Sequence, residues 1–347
     1  MPRPWFFLAC LLVSPVLFAV PVANLQSLEG EVSVLRAGVL IPSEKIADGF
    51  GLEAFDTLVT GATGKADVRF AAATGLSGRL HIDADAVLYL DASALVPQPV
   101  VGVELLKGAV SARLVPTATS PFVEVRTEVG SFASVGPGFR VVSSPSGDVL
   151  VTVDSGKVAC RVGDRSVVLE PGAVAEAQTL DGSFQTPSVN VSTLASYEAT
   201  WTKARNQAFR DQAAVEFRVI ASRYQLQAGH VQRAWDRVQG QPKDDIQGTE
   251  AATANLRRAA GPFERSVYRV KALRGLYDSG VLSPSLELSR GYPAKEFFRQ
   301  AAQDEALWLP RLGQARGLYR TVADRHGGAF PQASEGWAIT YDSPFFQ

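Results

Sequence analysis

Cysteine, histidine and methionine are all scarce in this chain. Its 347 residues include two cysteines (Cys10 and Cys160), three histidines (His81, His230 and His326) and one methionine. No Cys-x-x-Cys pair, His-Glu-x-x-His pair, phosphate loop ending in Gly-Lys-Ser/Thr or Gly-x-Ser-x-Gly elbow is present. These absences remove the common sequence signatures of zinc, nucleotide and serine-hydrolase chemistry. Charge of one sign is also lacking. The 34 Lys and Arg against 35 Asp and Glu leave a net charge of −1, without the basic excess of a nucleic-acid binder. The sequence therefore assigns no catalytic, cofactor-binding or metal-ligating residue, and it reads as non-enzymatic.

Long hydrophobic runs are missing too, with one exception at the start. Arg3 precedes an apolar stretch from Trp5 to Val20 that Ser14 and Pro15 interrupt, and Ala19 and Ala23 follow as small residues. The run is shorter than the roughly 20 residues a spanning helix needs. Residues 1–23 are thus expected to be an export signal, cut after Ala19 or Ala23, with an uncleaved anchor as the other reading. Leu17 or Pro21 would then stand three residues before the cut. Cys10 lies inside the apolar run rather than after it, unlike a lipoprotein cysteine. Cleavage leaves Cys160 alone, and one thiol makes no intramolecular disulfide. Cys160 shares a strand face with Val158 and Val162, so it reads as a small buried hydrophobe. Its basic neighbour Arg161 points the other way.

The composition divides the rest at about Ser188. Val, Gly, Thr and Ser dominate before it, and Ala, Arg, Gln and Glu after it. In the first part, Val103, Leu105, Val110, Ala112 and Leu114 alternate with polar or small residues, the period of a half-buried strand. Lys107-Gly108 falls between the two halves, where a reversal needs a residue free to take positive φ. The pattern of strand, glycine turn, strand recurs at Gly30, Gly108 and Gly156 without a fixed period. A repeated hairpin-like unit in one all-β domain over 24–187 is expected, as a sandwich or a short β-solenoid.

The second part, 188–347, is expected to be helical. Ser192 or Thr193 can cap a first helix in which Leu194, Tyr197 and Trp201 recur at three and four. Ala208, Val215 and Val219 continue the stripe, and Phe209, Phe217, Ile220 and Tyr224 widen it. Val231, Ala234, Trp235 and Val238 repeat it. Residues 240–248 read as a loop. Helical periodicity resumes at Thr249, again from Phe263 to Tyr277, and finally from Ala294 to His326, where Pro310 should kink it and Gly327-Gly328 stop it. The tail holds Trp337, Tyr341, Phe345 and Phe346, an aromatic density that predicts docking onto the body. Fold class is therefore α+β as separate domains.

Charge divides with composition. Residues 24–190 hold 12 Lys and Arg against 19 Asp and Glu, a net of −7. Residues 191–347 hold 21 against 16, a net of +5. Either the two parts lie against each other, or the helical part meets an acidic partner such as an envelope polymer, a lipid headgroup or a protein. The closest approach to a site is His81, Asp83 and Asp85, which alternation would place on one strand face beside a divalent cation. A solvated strand face shows the same alternation, and that reading is preferred. Glu29 and Glu31 around Gly30, and Asp244-Asp245, read as solvated turn carboxylates. Asn190-Val191-Ser192 matches a glycosylation acceptor, a short pattern that carries no weight by itself.

One ordered series of motifs carries a family resemblance. It runs Phe55-Asp-Thr-Leu-Val-Thr-Gly61, Lys65-Ala-Asp-Val-Arg-Phe70 and Leu80-His-Ile-Asp-Ala-Asp-Ala-Val-Leu-Tyr-Leu90. It continues through Val103–Leu114, Phe122–Thr127 and Val151–Val162 to Leu169-Glu-Pro-Gly172. The series resembles the FecR domain, a bacterial envelope module of periplasmic sensing. The resemblance implies a β-rich periplasmic domain. FecR itself adds a cytoplasmic segment acting on a sigma factor, a membrane span and contact with an outer-membrane transporter. This chain departs from that plan. The apolar run begins too early for a cytoplasmic segment, a helical part follows the β module, and Pro137 stands where the family's Gly-Thr-x-Phe turn has threonine. The expectation is thus an exported, non-enzymatic binding or scaffold module of the periplasm, its partner an envelope protein or acidic polymer. An anchored FecR-type sensory regulator and an envelope glycan-acting enzyme are the alternatives.

Overall fold

The computed structural model describes residues 21–71, 78–91, 100–115, 122–134, 137–179, 181–242 and 245–325. The apolar run Trp5–Val20, Cys10, Asp244, His326, the Gly327-Gly328 stop and the aromatic tail lie outside them. An N-terminal β region is followed by a C-terminal helical region, as separate α+β units.

The β region opens with β1 (Ala23–Glu29), β2 (Val32–Arg36), β3 (Val39–Ile41), β4 (Gly51–Leu52), β5 (Thr57–Thr60) and β6 (Lys65–Phe70). Next come β7 (Gly78–Ile82), β8 (Val87–Asp91) and the long β9 (Val100–Leu114). β10 (Phe122–Arg126), β11 (Gly130–Ser134), β12 (Gly138–Ser143), β13 (Val149–Ser155) and β14 (Val158–Val162) follow. β15 (Arg165–Leu169), β16 (Val174–Ala177) and β17 (Phe184–Gln185) complete the region.

Their pairings form two layers. The first runs β4-β1-β6-β7-β9-β12-β13-β16-β17. The second runs β3-β2-β5-β8-β9-β10-β11-β14-β15. All these contacts are antiparallel except β9 with β10. β9 belongs to both layers: residues 102–107 pair with β8, and 108–113 pair with β12. Val103 and Leu105 before the crossing, and Val110, Ala112 and Leu114 after it, all enter the core between the layers. The change of parity shows why a glycine stands at the crossing. Gly108 takes φ +84, and a Cβ there would lie 2.6 Å from Cα of Ala86.

The recurrent glycine units are therefore corners and not hairpins. Gly30 joins β1 of the first layer to β2 of the second, and Gly156 joins β13 to β14 in the same sense. Their φ values of 59° and 76° turn the chain out of one sheet and into the other. The flanking strands pair with other neighbours, and the architecture is a sandwich. Cys160 is fully buried in its core while Arg161 is exposed, as the alternation predicted.

The helical unit comprises α1 (Leu194–Asp211), α2 (Ala213–Gln239), α3 (Ile246–Asp278) and α4 (Ala294–Arg325). A small hairpin, β18 (Glu287–Ser289) and β19 (Tyr292–Pro293), precedes α4. Its core is aromatic. Phe217 meets Phe297 edge-on at 5.5 Å, and Tyr224 lies 5.5 Å from Phe263. The chain breaks helical phase at Gln212, so Val215 falls on the exposed side. The buried stripe of α2 is instead Ala213, Phe217, Ile220, Ala221 and Tyr224. Thr193 makes no side-chain cap; Asn190 accepts from Ser192 N and caps the short 3-10 turn before α1. α3 is continuous through Pro262, joining stretches that read separately in sequence, and α4 continues through Pro310. No helix among the described residues is long and apolar enough to cross a membrane.

The helical unit grips the sandwich on both outer faces. Leu194 and Trp201 of α1 pack on Ala109, Val142, Leu150 and Val174 of the first layer. Tyr268 of α3 packs on Phe55, Val87, Tyr89 and Leu106 of the second. This explains the unbroken apolar run Val149–Val151 in β13. Val149 and Val151 face the sandwich core, and Leu150 faces α1. Burial of an aliphatic or aromatic side chain contributes about 1.5–3 kcal/mol, so these two contacts hold the units together strongly.

Candidate functional site

Buried charge gathers at the seam between the two units. Four carboxylates project from the sandwich. Glu104 stands on β9 and Glu176 on β16. Glu128 lies in the β10–β11 turn and Asp148 at the end of the β12–β13 turn. The turns are built to hold them. Thr127 N donates to Gly130 O at 2.8 Å, and Ser144 N donates to Asp148 O at 2.8 Å. Gly147 takes φ +87 beside the guanidinium of Arg269. Asp148 also accepts from Ser146 Oγ at 3.1 Å and from Thr179 N at 2.8 Å.

Arginines from three helices meet these carboxylates. Arg205 of α1 lies 3.6 Å from Asp148 and 3.9 Å from Glu176. Arg223 of α2 pairs with Glu128 at 3.0 Å, and Arg269 of α3 takes the other oxygen of Glu128. Arg265 of α3 pairs with Glu104, and a Cβ at Gly261 would come within 2.7 Å of the same carboxylate. Tyr197 donates its hydroxyl to Glu176. The opposite polarity occurs where Arg140 of β12 pairs with Glu198 of α1 at 2.8 Å. The surplus of acid in one unit and base in the other is thus partly matched inside the chain.

Burial shapes the electrostatics of the seam. Loss of solvent lowers the Arg269 guanidinium, Glu128 and Asp148 oppose that, and Arg223 adds to it. Glu216, buried on α2 in the same cluster, is shifted upward by loss of solvent and by Asp148, against the pull of Arg269 and Arg223. Chemically, such a seam fixes one surface against another. Arg205, Arg223, Arg265 and Arg269 are matched by Glu104, Glu128, Asp148 and Glu176 across it.

The residues singled out in the sequence are not gathered into one site. β7 ends at Ile82, so the alternation does not extend through Asp83 to Asp85. Asp85 lies in a turn with φ +57 and pairs with Lys107 at 2.5 Å. His81 Nδ1 is 2.7 Å from Asp67 and Nε2 is 3.3 Å from Asp83, while Arg140 also pairs with Asp83. These side chains form a paired network on the sheet surface. Among the described residues no group of three or more His, Cys, Asp or Glu is arranged to hold a metal ion. Glu29 is exposed and lies 3.8 Å from Lys65, and Asp245 accepts from Gly248 N at the start of α3. Pro137 keeps its place in a turn, its carbonyl accepting from Leu114 N at 2.9 Å, and Phe139 is buried. Sequence reasoning missed Glu104, Glu128, Asp148 and Glu176. The only local signal was their position in or beside strands whose outer faces are apolar.

No family model and no curated protein matches the chain. Among solved structures, two crystal structures from Parabacteroides distasonis ATCC 8503 are similar to it, both described provisionally as an anti-sigma factor. Identity is 15% and the TM-score 0.35 for each. The match covers 41% of this chain and 63% and 64% of those chains, so it spans less than two thirds of their length. Likeness at that level bears on neither fold nor function, and both rest on the chain's own geometry.

Proposed function

We propose that this chain is an exported, non-enzymatic module of the bacterial cell envelope, acting by binding or scaffolding in the periplasm. The observation that carries the reading is the clasp of the helical unit on both faces of the sandwich. It turns two units of different composition into one body whose inward charges are spent on holding it together. A rigid body of that kind suits the presentation of surfaces. The early apolar run and the FecR-like series of motifs support the envelope location.

The test is made on the protein expressed in a bacterial host. Osmotic shock should release it without the apolar run, and N-terminal sequencing should start at or near Val20. Recovery of intact Met1 in the membrane pellet would replace this reading by an anchored FecR-type regulator. Incubation with purified peptidoglycan should leave its fragment profile unchanged. Release of soluble glycan would instead assign an envelope enzyme.

A further inference from the structure

The helical unit carries a pocket on α2, α4 and the β18–β19 hairpin, formed by side chains other than the seam arginines. Its volume is about 300 Å³, at the lower end of the range of small-molecule sites. Tyr224, Tyr292 and Phe297 supply aromatic wall, and Asp304 supplies a carboxylate. The ring of Tyr224 meets Phe297 edge-on at 5.7 Å, which fixes both rings. Tyr292 stands half-buried in the lining.

The charge arrangement selects a ligand class. Asp304 accepts from Gln300 Nε2 at 2.9 Å on one oxygen, and on the other from Tyr224 Oη at 3.3 Å, whose proton it shares with Ala301 O at the same distance. Both donors are neutral, so the carboxylate is held in place but not neutralised. The nearby acids differ: Glu305 pairs with Lys271 at 2.5 Å, and Glu296 pairs with Arg299. No cation pairs with Asp304 among the described residues. Loss of solvent raises both tyrosine hydroxyls, and carboxylates, Asp304 included, raise them further; for Tyr292, Arg299 and a bond from Gln225 oppose this. Asp304 is the charged side chain of the lining, so the pocket wall is acidic. An anion is repelled there, and a neutral polyol would find mostly ring and methyl surface. An ammonium group carrying apolar substituents matches both the carboxylate and the ring faces.

We propose that this pocket is a binding site for a small organic ammonium cation, held by Asp304 and by the half-buried ring of Tyr292, with Tyr224 packed behind as the fixed donor to the carboxylate. The proposal goes beyond the envelope-scaffold reading and rests on the pocket alone, so neither depends on the other. Choline and its neutral isostere 3,3-dimethylbutan-1-ol serve as probes, titrated by calorimetry into the full mature chain. Choline should bind saturably with a Kd of about 1 mM or tighter, an ordinary value for so small a ligand. The isostere should bind at least about tenfold more weakly, the difference one charge makes beside an aromatic wall. Asp304→Asn keeps an acceptor for Tyr224 and should weaken choline about tenfold or more, with the isostere unaffected. Tyr292→Ala, at a half-buried ring, should weaken choline as well. Equal binding of the two probes would overturn the proposal. So would the absence of saturable binding, or an Asp304→Asn chain with normal choline affinity.

Discussion

Arg269 of α3 and Glu128 of the β10–β11 turn form an ion pair across the seam, and Arg223 of α2 holds the second oxygen of that carboxylate at 3.0 Å. One loop of the sandwich thereby fixes two helices. Arg269 is buried, so removal of Glu128 leaves its charge shielded from water with only Asp148 to offset it. Glu128→Gln is expected to lower stability by about 2–4 kcal/mol, read from urea midpoints. Combining it with Arg269→Met should cost less than the two single changes added together. Strict additivity would mean that the two side chains do not interact.

Glu216 gives the seam a pH dependence. Burial first, then Asp148, raises its carboxyl above the ordinary 4.5. The folded chain therefore binds this proton more tightly than the unfolded chain does. Below pH 4.5 the group is protonated in both states and costs nothing. As pH rises through 4.5 to the higher folded value, the unfolded state ionises first and stability falls. Glu216→Gln should unfold at higher urea than the parent at pH 7, with the gap closing towards pH 4. A gap that stays constant with pH would assign the effect to packing.

Gly108 separates the layer-crossing corner from an ordinary turn. Its φ of +84 and the 2.6 Å approach to Ala86 leave a side chain both strained and obstructed. Gly108→Val should cost about 2–4 kcal/mol or abolish folding. Gly163, at φ +56 in open space, should tolerate alanine for about 1 kcal/mol. Comparable thermal shifts for the two variants would show that the corner does not depend on glycine.

Cys160 should resist chemistry in the folded chain. Burial raises its thiol to about 12, leaving almost no thiolate at neutral pH. Iodoacetamide at pH 8 should leave the native protein unmodified and alkylate it fully in denaturant, as mass spectrometry would show. Rapid native labelling would mean that the sandwich opens readily.

The first strand discriminates between the two cuts expected from the sequence, after Ala19 and after Ala23. Ala23 is fully buried and pairs with Phe70, while Val22 N donates to Leu52 O at 2.8 Å and Val22 O accepts from Ala71 N at 2.9 Å. A chain starting at Asn24 lacks all of these and should be about 1–3 kcal/mol less stable than one starting at Val20. Equal thermal midpoints would leave the cut after Ala23 as plausible as the cut after Ala19.

Much of this architecture was legible because its causes are local. Alternation in β9 named the inward residues Val103, Leu105, Val110, Ala112 and Leu114, and glycine at Gly30, Gly108 and Gly156 marked chain turns. The change to a period of three and four after Ser188 marked the helical unit, because helix and strand faces repeat within a few residues. The phase break at Gln212 escaped notice because its cost is repaid only by distant packing. Tertiary structure alone decided that the glycines switch layers, since a turn's sequence does not reveal which strand its successor will pair with. It also decided that His81 and Asp83 meet each other while Asp85 turns away to Lys107, that Glu128 meets Arg223 and Arg269, and that no cation among the described residues pairs with Asp304. Each of these relations joins residues far apart in sequence, or depends on where a turn directs a side chain, and only packing of the layers and helices fixes such distances.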